Sequence, residues 1–585
     1  MGRGVEKMLG LCLFTSIVTM LAAGSAVAAV SPETMQPQGL NVSGIYTLRQ
    51  LDPNLTGAGI KFAVICRSNT YIDGEPQNDY RPAIDHICLK DKQLNFKNQD
   101  EPPADTSPHS TAICSILLGE DPNAFNPQLG RFHYQGIAPQ AQADNYEFWY
   151  FLTNNVFSNS PPNADIVTAS FGTQFEDWWT RGIEAMAEQY GLIVVTGIGN
   201  GSDSLDPLLY PGAGSNVIGV GVVNSVNTEN LATKLANFSL ASPEHSSLGP
   251  TADGRCKPDI IAPGNCLVAD ANNPDNYEPT GSWSSFSTPI VAGAVGLLVQ
   301  KAKEGPDLSA AVAKDGGNCA MKAILLNSAT KLPFWHKGKL QKDDDHEAPL
   351  DFLQGAGMLN AIGAYKNLIA GQAKPGNVPT IGWDNNLLKQ KNENLQNVYK
   401  ITLTEPNEEF ITATINWNRH YDSVYPFEAI PDKDANLRLE IWAVDTSDSN
   451  NDYLLDYSDS KADNLEHIYV KADANFTNYE LIVTFSNIDD PNQSPADQRY
   501  GLAWDVSKKQ DSDNILWYDL NADGDVNDSD LTILVDNATA GVKSANNYSL
   551  GDINSDGTID KKDFEIILQH KDDIADWYTA KEKEN

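Results

Sequence analysis

Three polar side chains stand where acyl-transfer chemistry could be done. Ser285 lies in Gly281-Ser-Trp-Ser-Ser-Phe-Ser-Thr-Pro289, just ahead of the apolar helical run Ile290–Lys303 (IVAGAVGLLVQKAK). A serine in the first turn of a buried helix meets the positive helix end, which favours a developing alkoxide or oxyanion. His109 follows Ser107-Pro108 and opens a second helical pattern, Ser110–Leu118. Asn200 follows an apolar strand in Gly197-Ile-Gly-Asn-Gly201, and a side-chain amide held between glycines can donate to an oxyanion. Taken singly, a histidine at a helix start is most often a cap or surface residue, and Asn-Gly a turn. A second chemistry sits near the C-terminus. Asp519, Asn521, Asp523, Asp525, Asn527 and Asp530 place oxygens at alternating loop positions around Gly524. Asp552, Asn554, Asp556, Thr558, Asp560 and Asp563 repeat the pattern around Gly557, 33 residues later. Calcium takes six to eight oxygens, and such a loop with a glycine at its sharp turn can wrap it; Asp525 and Thr558 would offer backbone carbonyls.

The elements that must position the first set alternate in type. Ile60–Cys66, Ala164–Ser170, Gly191–Gly197 and Asn216–Val223 are short runs rich in β-branched residues, the pattern of buried parallel strands. Helical patterns such as Asp177–Tyr190 lie between them, predicting a doubly wound α/β domain over residues 45–370. The pattern changes near Gly371–Pro379. From 380 to 508 the segments Val398–Leu403, Phe410–Asn418, Leu437–Val444, His467–Val470, Tyr479–Phe485 and Tyr500–Asp505 alternate apolar and polar, predicting an antiparallel β-sandwich. The acidic repeats fall in a short third region, 515–575, where helices Leu531–Asp536 and Phe564–His570 follow the loops.

Composition bounds the rest. The 585 residues suffice for about three or four domains, and 41% hydrophobic content with 20% charged residues excludes a largely disordered chain. A net charge of -37 argues against nucleic-acid binding, which needs basic patches, and against an anionic membrane surface. Arg3 and Lys7, the apolar stretch Met8–Ala23 and Ala26-Val27-Ala28 read as a signal peptide over 1–28. Its removal takes away two basic residues and one acid, leaving -38. No later segment is apolar for long enough to span a bilayer, so the expectation is a secreted protein without stable membrane insertion. Cys12 leaves with the leader. Cys66, Cys88, Cys114, Cys256, Cys266 and Cys319 remain, and an even number in an exported chain leaves both disulfides and buried free thiols open. Their spacing resembles no zinc site.

In order, FAVIC, PHSTAICSILLG, DIVTASFG, VVTGIGNG, SSLGPTADGRCKPDIIAPG and SSFSTPIVAGAVGLL resemble the blocks of the subtilisin-like serine peptidases. The resemblance implies that fold and a Ser–His acyl-enzyme mechanism on peptide bonds. Ser285 then falls on the nucleophile, four residues before Pro289, His109 on the general base and Asn200 on the oxyanion donor. Ser170-Phe171-Gly172 falls on the segment that pairs with an extended peptide. The chain departs from the family at Cys66, where the aspartate that orients the histidine should stand. Loss of that aspartate costs on the order of 10⁴-fold in turnover. A neutral thiol is a weak acceptor, a thiolate a better one, and Cys66 could also pair with Cys88 or Cys114. Asp73, Glu75 and Asp79 follow closely, and a bent loop could bring Asp73 to His109. Ser110-Thr111-Ala112, Trp283-Ser284 and Ile290 are milder departures. Only about 30 residues separate the leader from the first strand, so no long pro-segment is expected. The alternative is a catalytically silent peptide-binding or scaffolding relative.

The β-rich region resembles jelly-roll modules that follow some such peptidases, through Ala413–Asn418, Asp463–Ile468 and Tyr500–Asp505. The acidic repeats resemble a type I dockerin, because position 12 is aspartate and no clear helix precedes either loop. That likeness implies calcium as cofactor and a cohesin-type module as partner. Asp528-Ser529 and Lys561-Lys562 at loop positions 10 and 11 differ, so interchangeable orientations are not expected.

Overall fold

The computed structural model describes residues 40, 43–68, 71–72, 75–76, 79–98, 106–126, 130–201, 207–223, 246–264, 266–281, 283–332, 335–339, 342, 344–389, 395–404, 409–486, 497–508, 520, 526–540 and 559–572. The leader at 1–28 lies outside them. Seven parallel strands form the first sheet: β1 (Lys61–Cys66), β2 (Gln93–Lys97), β3 (Gln142–Glu147), β4 (Ile166–Ala169), β5 (Ile193–Gly197), β6 (Ile218–Val223) and β7 (Ile260–Pro263). Their spatial order is β7-β6-β5-β4-β1-β3-β2. Strand β1 shows why both faces are apolar. Phe62 and Val64 join the core on one side, Ala63 and Ile65 that on the other.

Helices α1 (Ile45–Leu51), α2 (Pro108–Leu118), α3 (Trp178–Tyr190), α4 (Ser284–Lys303), α5 (Gly317–Asn327) and α6 (Ala361–Ile369) surround this sheet. Asp177 caps α3 in a capping box with Thr180. Helix α4 is the spine, buried almost throughout from Ser287 to Val299. It seats closely on the sheet because it carries glycines: a Cβ on Gly296 would come 2.6 Å from the Phe62 ring. All six cysteines outside the leader are free and buried, so no disulfide ties Cys66 to Cys88 or Cys114.

Nine further strands follow: β8 (Gly376–Val378), β9 (Ile381–Leu388), β10 (Gln396–Thr402), β11 (Glu409–Trp417), β12 (Leu437–Val444), β13 (Tyr453–Ser458), β14 (Leu465–Lys471), β15 (Asn478–Phe485) and β16 (Gln498–Lys508). They form a five-stranded sheet, β8-β10-β15-β12-β13, and a four-stranded one, β9-β16-β11-β14. Tyr399, Ile415, Leu439, Leu481 and Trp504 from both sheets share one core. The outer side of the four-stranded sheet does not face water. Trp383, Leu465 and Ala503 belong to the core of the first lobe, and Trp383 Nε1 donates to Leu368 O at 2.8 Å. The loop after β11 grips α3: Phe427 is fully buried beside Gly182, and Tyr421 donates to buried Glu184 at 2.9 Å.

Two helices, α7 (Asp528–Ala540) and α8 (Lys561–Gln569), lie in the acidic region and share a small core of Leu520, Val526, Leu531, Leu534 and Ile567. Among the described residues no helix is long and apolar enough to cross a membrane.

Candidate active site

Helix α4 begins with Ser284, so Ser285 lies in its first turn, where backbone N–H groups have no partner inside the helix. Pro289 has no N–H to give to the Ser285 carbonyl four residues back. The Ser170 hydroxyl takes that place and donates to Ser285 O at 2.9 Å, while Ser285 Oγ donates to Ser170 O at 3.3 Å. Ser170 thus ties the start of α4 to the end of β4. Strand β5 leads to Asn200 through Gly197 and Gly199. A Cβ on Gly197 would lie 2.9 Å from Thr288 Oγ1, so the glycine lets α4 approach. Gly199 has φ +107°, a conformation side chains rarely adopt. Ser284 donates to Asn200 Oδ1 from both its N–H and its hydroxyl, each at 2.9 Å. An N–H can only donate, so the atom facing it is the carbonyl oxygen, and the amide Nδ2 is left as a donor.

His109 is the second residue of α2, which Ser107 caps through the Ser110 N–H at 3.2 Å. Its ring is half-buried, with its centroid 6.1 Å from that of Phe286 beside Ser285. Burial pushes its pKa down to about 4, and among the described residues no carboxylate offsets that burial. The imidazole is therefore neutral at pH 7. Among the described residues its ring shows no hydrogen bond, and Ser285 Oγ is turned to Ser170 instead. Cys66 ends β1, 2% exposed. Burial pushes its thiol up to about 11, offset in part by the Ser110 hydroxyl and the Asn145 amide beside it, so it is uncharged. Glu147 pairs with Cys66 across the sheet, but its carboxylate accepts from the Tyr150 N–H at 2.8 Å. Asp73 lies outside the described residues.

Downstream of Ser170, Thr173 and Tyr210 exchange hydrogen bonds at 2.8 Å in each direction, which orders the Ser170-Phe171-Gly172 segment. Phe171 packs edge-on to Phe148 with centroids 5.1 Å apart. The subtilase family model matches residues 53–357. The chain belongs to the subtilase family. The serine protease AprX of Bacillus subtilis is 26% identical over 357 residues, 54% of this chain and 68% of that protein. The C5a peptidase of Streptococcus pyogenes is 30% identical over 195 residues, 32% of this chain but 14% of that protein. Among solved structures, the PatG macrocyclase in complex with peptide aligns with 56% of this chain and 95% of its own at 16% identity and a TM-score of 0.38.

Within this subtilase, sequence reasoning left out two groups. Ser170 was read as substrate-edge backbone, yet its hydroxyl replaces a missing helix bond; the signal was Pro289, four residues past Ser285. Ser284 was read only as a departure, yet it sets the orientation of Asn200. In the acidic region Asn527, Asp530, Asp560 and Asp563 are described. Asp530 and Asp563 are fully buried, and each accepts from the N–H three residues earlier, at 2.8 Å from Asn527 and 2.9 Å from Asp560. The two halves thus share one local geometry. Asp519, Asn521, Asp523, Asp525, Asp552, Asn554, Asp556 and Thr558 lie outside the described residues. Among those described, no cluster of three or more His, Cys, Asp or Glu side chains is placed to hold a metal.

Proposed function

We propose that this subtilase is a secreted serine endopeptidase that turns over slowly because Cys66 stands where the family has its aspartate. The observation that carries the reading is the double anchor of Asn200 Oδ1 on Ser284, which leaves Nδ2 as the donor for an oxyanion, with the Ser285 N–H in the first turn of α4 as a second donor. His109, neutral at pH 7, takes the Ser285 proton as the hydroxyl attacks the peptide carbonyl. Asn200 Nδ2 and the Ser285 N–H hold the resulting oxyanion. His109 then returns the proton to the leaving amine, and water repeats the sequence on the acyl-enzyme. Without a carboxylate on the imidazole, the imidazolium formed in each step is unsupported, which makes the turnover slow.

The test is labelling of the mature, calcium-loaded protein with a fluorophosphonate, beside Ser285→Ala and His109→Ala. Labelling that needs both side chains supports the reading. A folded wild type that takes no label overturns it. One observation favours the alternative of a peptide-binding relative without turnover: Ser285 Oγ donates to Ser170 O rather than to His109.

The acidic region is proposed to be a dockerin-like module that binds two calcium ions and docks on a cohesin-type partner. Asp519, Asn521, Asp523, Asn527 and Asp530 would hold one ion, and Asp552, Asn554, Asp556, Asp560 and Asp563 the other, with backbone carbonyls of Asp525 and Thr558. Support comes from the repeated loops and the matched geometry of Asp530 and Asp563. Residues 1–28 would direct export, and the jelly-roll-like lobe would stabilise the peptidase. Calorimetric titration with calcium, giving two sites lost in Asp530→Ala and Asp563→Ala, tests the metal assignment.

A further inference from the structure

Beyond their paired residues β4 and β5 part. Within the sheet Ile166 pairs with Ile193 and Ala169 with Thr196. Continued in that register, Ser170, Phe171 and Gly172 would lie against Gly197, Ile198 and Gly199. A third segment enters between them instead. Leu209 donates its N–H to Ile198 O at 2.9 Å, and Tyr210 exchanges hydrogen bonds with Thr173 at 2.8 Å in both directions. The parting leaves a slot at the carboxyl end of the sheet, the place where open α/β sheets receive ligands. Phe171-Gly172 form one wall, Ile198-Gly199 the other, and Leu209-Tyr210 the floor.

Leu209 stands in that slot. Its neighbour Leu208 turns away into a small core with Ile198 and Ala213. A Cβ on Gly172 would come 2.9 Å from Leu209 Cβ, and a Cβ on Gly199 would come 3.1 Å from Leu209 Cγ. The isobutyl group therefore reaches from one wall to the other, and glycine on both walls is what admits it. The walls are held in place. Ser247 donates its N–H to Gly199 O at 3.1 Å, and its hydroxyl accepts from the Gly201 N–H at 3.2 Å. On the other side the Thr173–Tyr210 pair fixes the residue after Gly172. Leu209 itself is half-buried, so the slot is open to the outside above it.

The slot adjoins the candidate active site. Gly199 precedes Asn200, and Ser170, two residues before Gly172, holds Ser285 O at 2.9 Å. Consider a peptide with its attacked carbonyl at Ser285, the oxygen on Asn200 Nδ2 and its backbone along residues 170–172. The side chain of the residue that owns this carbonyl then falls between the two walls. We propose that Leu209 determines specificity there: the residue whose carbonyl faces Ser285 is glycine or alanine, because the isobutyl group occupies the space a larger side chain needs. The inference rests on the reading of Ser285 and Asn200 as the peptide site. A hydrogen or methyl group leaves Leu209 undisturbed, whereas a benzyl group must displace it. One methylene in an apolar pocket already changes selection by about 10–200-fold.

The experiment uses the full chain carrying Ser285→Ala, so that no probe is cut. Fluorescein-labelled peptides Ala-Ala-Pro-Ala and Ala-Ala-Pro-Phe are titrated by anisotropy. The expected result is tighter binding of the alanine peptide by about tenfold or more, and the reverse order when Leu209→Gly is added. Leu209→Ala should fall between the two and serves if Leu209→Gly does not fold; melting temperatures are compared throughout. Phenylalanine bound as tightly as alanine with Leu209 in place, an order that neither folded variant changes, or no binding of either peptide would overturn the proposal. The wild type is then treated with the matching peptidyl diphenyl phosphonates. Ranked binding without an adduct at Ser285 would sink the slow-peptidase reading and keep Leu209 as the selector of bound peptide. Adducts formed equally fast from both phosphonates would keep that reading and overturn the proposal.

Discussion

Replacing Cys66 by aspartate is the sharpest perturbation available. The side chain ends β1 at 2% exposure, with the Ser110 hydroxyl and the Asn145 amide beside it. Both can donate to a carboxylate, so the charge would not be stranded. Removing the aspartate of such a triad costs about 10⁴-fold, or about 5.5 kcal/mol. Restoring it in a site not shaped for it should recover part of this, on the order of 10²–10⁴-fold in kcat/KM. The assay is cleavage of a fluorogenic peptide, with the fluorophosphonate labelling rate as a second readout. The pH profile separates this account from a mere gain in folding. In the wild type His109 is held near 4 by burial, so the rate should stay level until the pH falls to that region. A carboxylate on the ring raises that value, so the acid limb of Cys66→Asp should move up towards neutral while the plateau rises. Cys66→Asn, of similar shape without charge, should do neither. A folded Cys66→Asp protein with unchanged plateau and unchanged limb would refute the proposal that Cys66 takes the place of the family's aspartate.

Asn200→Ala should lower the fluorophosphonate labelling rate by about 10²–10³-fold, because Nδ2 is lost and Ser284 loses its acceptor. Phe427→Ala empties a fully buried site against α3 and should destabilise the protein by about 3–5 kcal/mol, read as a lower denaturant midpoint. Chelation of calcium should reduce far-UV helical signal from α7 and α8 while leaving labelling of Ser285 intact; an unchanged spectrum would count against metal in the acidic loops.

Much of the first lobe was legible because its strands are buried on both faces. Lys61–Cys66, Ile193–Gly197 and Ile218–Val223 read as apolar runs whatever their neighbours. Helix α3 is legible as the helical pattern Asp177–Tyr190 between two such runs, and the structure adds its caps, Asp177 and Gly191. Strand β2 (QLNFK) was not legible, since an edge strand needs no continuous apolar run. Nor was β9, where Asp384-Asn385-Asn386 imitates a turn. There Asp384 is fully buried and accepts from the Tyr399 hydroxyl at 2.8 Å, a partner that only the fold supplies. The tail helices start at Asp528 and Lys561, earlier than their apolar residues indicate, because polar residues fill a first turn readily. At the candidate site, residue types point to Ser285, His109 and Asn200, but not to the turn of Ser285 towards Ser170. That choice depends on hydroxyl geometry, which no spacing encodes.

The burial of Trp383, Leu465 and Ala503 in the core of the first lobe bears on the order of events during synthesis. Ribosomes deliver the chain from its N-terminus, and domains generally fold as they emerge. Here the lobe carrying Ser285 lacks part of its interior until residue 503 has arrived, and α3 lacks its cover until Phe427 has. A nascent subtilase of this design stays unfinished through most of its own translation. Chains halted after residue 372 should be digested readily by an added protease, and chains extended past 508 should resist it. Maturation would then be timed by chain length, a clock written into the packing of the second lobe.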